Sequence, residues 1–253
     1  MAANAPFSVG RVLGRTFQMW AKNIVTFTIL GLIIYSPALL HAALAFPGEG
    51  EDPRTFVGVQ NILQGLLSFM ATAAVIHGVF QQLRGQPVGI GACLRVCLRR
   101  FFPVLGVSLL TGLVIFVCVL PVAFVAAAAS LGPLAMLLSL IVAILLFCMF
   151  WVAVPVAVVE KPGVGASLTR SQALTKGHRS AIFLVMLVIG VILVAVTMIV
   201  QLAITNANVV LWTELLISVV LGSIFAIANA VGYHDLRVAK EGVGIEDLVA
   251  VFA

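Results

Sequence analysis

Few side chains in this sequence could carry chemistry. Ionisable groups deep inside a membrane segment are costly and usually functional, yet the middle of every long apolar run here lacks Asp, Glu, Lys and Arg. His41 and His77 stand near the ends of two such runs. Gln60, Asn61 and Gln64 gather at the start of one, Gln201 ends another, and Asn229 lies near the end of the last. The histidines form no HxxxH or HExxH pattern, the glycines form no phosphate-binding loop, and no Ser-His-acid set can be assembled at one depth. The sequence therefore offers no catalytic residue, no metal ligand and no cofactor site, and it points away from an enzyme. Cys93 and Cys97 share a helical face at i and i+4, a spacing open to acylation or thiol–metal binding. That face is apolar, however, and cysteine packs as a small hydrophobe, so packing is the preferred reading. A missing mid-span carboxylate weighs against proton- or sodium-coupled transport, but not against carriage of an apolar substrate.

Two charged segments are richer. One runs from Glu160 to Gly177 and the other from Tyr233 to Gly242. Between them they hold the candidate site residues Glu160, Arg170, Ser171, Lys176, Tyr233, Asp235, Arg237 and Glu241. Ion pairs among these could clamp an amphipathic helix to the end of the last apolar run. The same groups could instead hold a lipid headgroup or another ligand. The clamp is the preferred reading.

The elements that position these groups follow from composition. The chain has 253 residues, 62% hydrophobic and only 9% charged, against roughly 25% charged in soluble domains. Six segments reach the ~20 apolar residues a spanning helix needs: Ile24–Phe46, Phe56–Leu83, Phe102–Ala129, Pro133–Val159, Ser180–Ala203 and Leu211–Gly232. Gly132-Pro133 divides the third from the fourth, because proline lacks an amide hydrogen and restricts its predecessor. The first apolar run is longer than the ~7–15 residues of a signal h-region and is read as an uncleaved span. Pro37, Pro121 and Pro155 should kink their spans. Gly222, Ala226 and Ala230 offer a small-residue packing face. Of the 14 Lys and Arg residues, only Arg54 falls on the far side of this arrangement. The positive-inside rule then puts both termini in the cytoplasm, opposite an acidic loop containing Glu49, Glu51 and Asp52.

The expected fold is all-α, a polytopic membrane protein of six transmembrane helices in three hairpins. Each hairpin is preceded by a cationic amphipathic segment: Ser8–Trp20, with Ser8 as N-cap, then Ile90–Phe101, then Val164–Gly177. Such helices lie in the headgroup region and favour anionic lipid. The chain thus reads as a single transmembrane domain, 1–253, of pseudo-repeats at about 7–84, 88–160 and 164–235 with a cytoplasmic tail, 236–253.

The residues Val158-Val159-Glu160, Leu168-Thr169-Arg170-Ser171, Leu174-Thr175-Lys176-Gly177, Tyr233-His234-Asp235-Leu236-Arg237 and Lys240-Glu241-Gly242 carry a resemblance. They are similar to the bacterial membrane domain attached to some glycerophosphoryl diester phosphodiesterases and to stand-alone six-span YciC-like proteins. The resemblance implies six spans in a bacterial inner membrane. It implies no phosphodiesterase activity, which belongs to a separate soluble barrel for which no stretch outside the spans is long enough. It also hints at phospholipids or envelope maintenance. The function expected is that of a non-enzymatic accessory, scaffold or lipid-associated protein, with a transporter or lipid-translocating protein as the alternative. Expected partners are membrane lipids with anionic headgroups at the cytoplasmic leaflet, and a second copy or a membrane complex, but no nucleic acid.

Overall fold

In hydrocarbon no water can satisfy a backbone amide, so an apolar run must make its hydrogen bonds within itself. The computed structural model has that character over the residues it describes, 7–47, 53–128, 132–204 and 206–242. They form nine α-helices and no strand: α1 Val9–Lys22, α2 Ile24–Ala45, α3 Arg54–Leu83, α4 Ile90–Ala128, α5 Pro133–Phe150, α6 Ala153–Val159, α7 Val164–Thr175, α8 Arg179–Ala203 and α9 Ala207–Glu241. Six are long and apolar enough to cross a membrane, with α5 and α6 together making the fourth. The chain is an all-α, multi-pass integral membrane protein. The acidic residues Glu49, Glu51 and Asp52, the turn residues Ser130 and Leu131, and the tail from 243 onward lie outside the described residues.

Contacts divide the chain into one unit of Met1–Val12, Phe102–Val185 and Gly232–Ala253, and another of Leu13–Phe101 and Met186–Val231. Neither coincides with a sequence repeat, and the third repeat is shared between them. In the second unit α2 and α3 pair as the first hairpin. Phe27, Leu30, Ile34, Ala38 and Ala42 form the buried stripe of α2, the helical spacing that puts residues on one face. Gly31 belongs to that stripe because a Cβ there would stand 3.0 Å from Val219 Cγ1 and 3.1 Å from the Val219 carbonyl. Pro37 does not interrupt α2. It deprives the Ile33 carbonyl of its usual amide partner, and the Ser36 hydroxyl donates to that oxygen at 2.8 Å. At the α1–α2 corner the Asn23 amide donates to Met19 O at 2.9 Å and to Gln82 Oε1 at 2.6 Å. The Trp20 indole donates to Val220 O at 3.1 Å.

The first unit is built around Val107, Phe150, Ala153, Ala157 and Leu168, contributed by α4, α5, α6 and α7. Here the structure differs from the sequence reading in four respects. The second amphipathic segment is no separate helix: Ile90–Phe101 forms the first turns of α4, which runs unbroken to Ala128. Pro103 and Pro121 both lie inside it, and proline is tolerated inside spanning helices. Likewise α9 does not end at Gly232 but continues through Glu241. The fourth span is broken, not kinked: α5 stops at Phe150 and α6 starts at Ala153, because Pro155 removes the amide that the Trp151 carbonyl would accept. Finally, the apolar faces of the amphipathic segments are turned into protein. Val12 and Thr16 of α1, Cys93 and Cys97 of α4, and Leu168, Ser171 and Leu174 of α7 are all buried, while Leu98 and Phe102 stay exposed. Amphipathicity measures a need for an apolar neighbour and does not say whether that neighbour is lipid or protein.

Lipid must nonetheless cover much of the chain. Only 6% of the most apolar window of α4 and 17% of that of α8 are buried, against 61% for α9.

The break in the fourth span generates a test. A Cβ on Gly232 would lie 2.3 Å from Cη2 of Trp151, whose ring is buried and has no room to withdraw. Gly232→Ala should therefore destabilise by about 1–3 kcal/mol, the usual cost of overpacking. Thermal unfolding in detergent measures this, and adding Trp151→Phe should recover part of the loss.

Candidate functional site

The two charged segments converge in the first unit. After α6 the chain turns through Lys161, at φ +59°, and Gly163, at φ +99°, and this tight reversal leaves Glu160 beside α7. Arg170, in the second turn of α7, then forks onto it: Nε donates to Oε2 at 3.0 Å and Nη2 to Oε1 at 3.3 Å. Arg170 Nη2 also donates to Glu241 Oε1. From α9, the Tyr233 hydroxyl donates to Glu160 Oε1 at 2.7 Å. Arg237 Nη1 donates to the Tyr233 hydroxyl at 3.3 Å and its Nε to Glu241 Oε2 at 3.0 Å. Two guanidiniums meet two carboxylates around a fully buried phenol. Burial pulls the Arg170 guanidinium down, but its hydrogen bonds and charge pairing with Glu160 and Glu241 outweigh that and hold it above the usual arginine value.

Five of the eight candidate residues thus form one network. Ser171 does other work: with Thr175 it donates to the Met149 carbonyl, at 3.0 and 3.1 Å. Both are fully buried. Asp235 is buried beside His234, with Oδ1 3.2 Å from His234 Nδ1. Lys176 caps the C-terminus of α7 and is exposed. Lys240, one residue before Glu241, donates to the Ala173 carbonyl and ties α9 to α7 a second time.

Because the network is internally neutral, the cationic surplus lies beside it, at Lys176, Lys240 and Arg179. Nearby, His178 is lowered first by burial and then by the Lys240 charge, so it is neutral near pH 7. Arg179 and Ser180, in the first turn of α8, line a groove of about 350 Å³ together with Ile141, Leu145, Cys148 and Phe183. The sequence reading used Arg179 only as a marker of orientation. Its helical phase against α5 would have been the one available clue, and that phase needs the tertiary pairing.

Elsewhere, His41 Nδ1 lies 2.8 Å from Gln60 Oε1, and its ring stacks on Phe56 at 5.1 Å. This is the packing of an interhelical hydrogen bond. Cys93 and Cys97 are fully buried and closed to an acyl donor in this conformation. Among the described residues, no group of three His, Cys, Asp or Glu side chains could hold a metal ion. No protein-family model matches the chain, and no curated protein or solved structure matches it either.

The network should behave as one cooperative element. Arg170→Ala leaves Arg237 alone to balance Glu160 and Glu241 and should lower stability by about 1–3 kcal/mol. Arg170→Lys keeps the charge but loses the fork and should fall between. A double-mutant cycle with Glu241→Ala, read by thermal unfolding in detergent, should give a coupling clearly above zero.

Proposed function

We propose that this chain is a non-enzymatic, lipid-associated protein of the bacterial inner membrane, holding an anionic phospholipid at the cytoplasmic leaflet in an accessory role to membrane or envelope maintenance. The observation that carries this reading is the groove between α5 and α8, almost wholly apolar, with Arg179 among the residues that line it. Between helix and lipid there is no hydrophobic driving force, since acyl chains are as apolar as the groove. Selectivity must then come from the cations beside the groove, where the exposed Arg179 and Lys176 suit a phosphate and disfavour a cation. The neutral Glu160–Arg170–Tyr233–Arg237–Glu241 network acts in this reading as the clamp that fixes α7, and with it the Lys176-to-Arg179 turn, against α9.

The distribution of basic residues supports a cytoplasmic position for that turn and for both termini. The resemblance of the Glu160-to-Gly177 and Tyr233-to-Gly242 segments to the phosphodiesterase-associated membrane domain and YciC-like proteins supports the same topology. A transporter is the alternative. It gains little from the cavity among α2, α3 and α9, which is lined by neither Gln64 nor Asn229.

Purification in mild detergent followed by quantitation of bound lipid tests the proposal. The wild-type protein should retain phosphatidylglycerol or cardiolipin over phosphatidylethanolamine. Arg179→Glu should cut the retained anionic lipid severalfold while leaving the unfolding temperature unchanged. Equal retention by the two proteins would sink the reading.

A further inference from the structure

The second unit contains a cavity of about 200 Å³ among α2, α3 and α9, independent of the phospholipid groove. Most of its lining is apolar, with Phe27, Ile34 and Val75 among the walls. Its polar character is confined to hydroxyls. Ser68 donates to Gly65 O at 2.7 Å, Thr72 to Ser68 O at 2.8 Å and Ser223 to Val220 O at 3.1 Å. These three protons are committed to the helices that carry them.

Tyr35 is different. It lines the cavity and is only 7% exposed, and its hydroxyl donates to no described residue. A hydroxyl held in an apolar setting without a partner is unfavourable, and an interior phenylalanine would avoid that cost.

Depth narrows the ligand. From Ile24 to Tyr35 is about 16 Å along α2 at ~1.5 Å per residue, which is half of a ~30 Å hydrocarbon core. Gly222 is exposed on the cavity rim, and Ser68, Ala71, Thr72 and Ser218 are half-exposed, so the cavity opens at that depth. No charged side chain lines it. A phospholipid carries its ester carbonyls and its charge at the bilayer interface and cannot bring either to the midplane.

We propose that this cavity is a binding site for an uncharged lipophile carrying a carbonyl oxygen, which accepts a hydrogen bond from Tyr35 at mid-membrane depth. A quinone ring has that chemistry, as does the ester of a neutral glyceride, and both travel through the bilayer core. The cavity is large enough for a ring-sized or ester-sized head, with the aliphatic remainder left in lipid.

The test uses the full-length protein in detergent and three probes: decylubiquinone, a short-chain diacylglycerol, and decylbenzene as a hydrocarbon of similar shape without a carbonyl. Binding is measured by microscale thermophoresis. Wild type should bind at least one carbonyl probe about tenfold more tightly than decylbenzene, and which probe it prefers names the source. Tyr35→Phe should abolish that preference while leaving decylbenzene binding and thermal stability intact. Gly222→Leu should weaken all three, since a Cβ there meets open space within 4 Å and the longer side chain fills the cavity without disturbing the helix. No saturable binding of any probe, no preference for a carbonyl, or a preference that survives Tyr35→Phe would each overturn the proposal.

Discussion

The charged end of the first unit depends on how one broken helix is sealed. Pro155 interrupts the fourth span, and α5 ends at Phe150 with its last carbonyls beyond the reach of a following turn. In a membrane protein such a carbonyl must find a donor within the chain. Ser171 and Thr175, one turn apart on α7, both donate to Met149 O, which uses both lone pairs of that oxygen. That pair of bonds fixes α7 in height and in rotation against α5. Once Ser171 points at Met149, Leu168 enters the apolar core with Phe150 and Ala157. Arg170, about 100° round the helix from Ser171, then faces Glu160 and α9.

This explains why the charged network sits where it does and why it is neutral. Glu160 follows α6, Arg170 belongs to α7, and Tyr233, Arg237 and Glu241 occupy successive turns of α9. Three elements are joined by groups that each satisfy more than one partner. With Arg170 and Glu160 less than a third exposed, their attraction is less screened than on an open surface. Partly satisfied networks in such surroundings are costly, and a surplus charge would leave a lone pair or a proton unmatched. The surplus cations Lys176, Arg179 and Lys240 are found at exposed positions instead.

The six spans were legible because hydropathy and length decide them almost alone, and the boundaries of α2, α3 and α8 lie within two residues of those expected. The gathering of Glu160 and Arg170 with the Tyr233-to-Glu241 segment was foreseeable as a possible clamp, since both segments leave the membrane on one side. Other features were not legible. Continuity of α4 through Phe101 and Phe102 depends on neighbours that tolerate Pro103, and rupture of the fourth span at Trp151 depends on a seal supplied by α7. Nothing in the sequence distinguishes these two prolines. Asp235 looked like a member of the cluster from its chain position, but a helix sends residues 233 and 235 to different faces, and it pairs with His234 instead. Arg179 and the groove it lines depend on α5 and α8 lying near each other, which sequence periodicity does not encode.

The hydroxyls of this protein show how such ambiguities are resolved. Serine and threonine in a span are not in themselves signs of function, because they can return their proton to a carbonyl three or four residues back. Ser68, Thr72, Ser139, Thr197, Thr213 and Ser223 all do so, and each thereby becomes tolerable in lipid. Ser36 uses the same bond to repair the gap left by Pro37. The informative hydroxyls are those that depart from this habit. Ser171 and Thr175 reach another helix and seal a break. Tyr233 reaches Glu160 and completes the network. Tyr35 is too long and too rigid to fold back on its own helix, so a hydroxyl at that position can be satisfied only by something outside α2. Its place on the wall of a cavity is therefore a constraint on what the cavity holds.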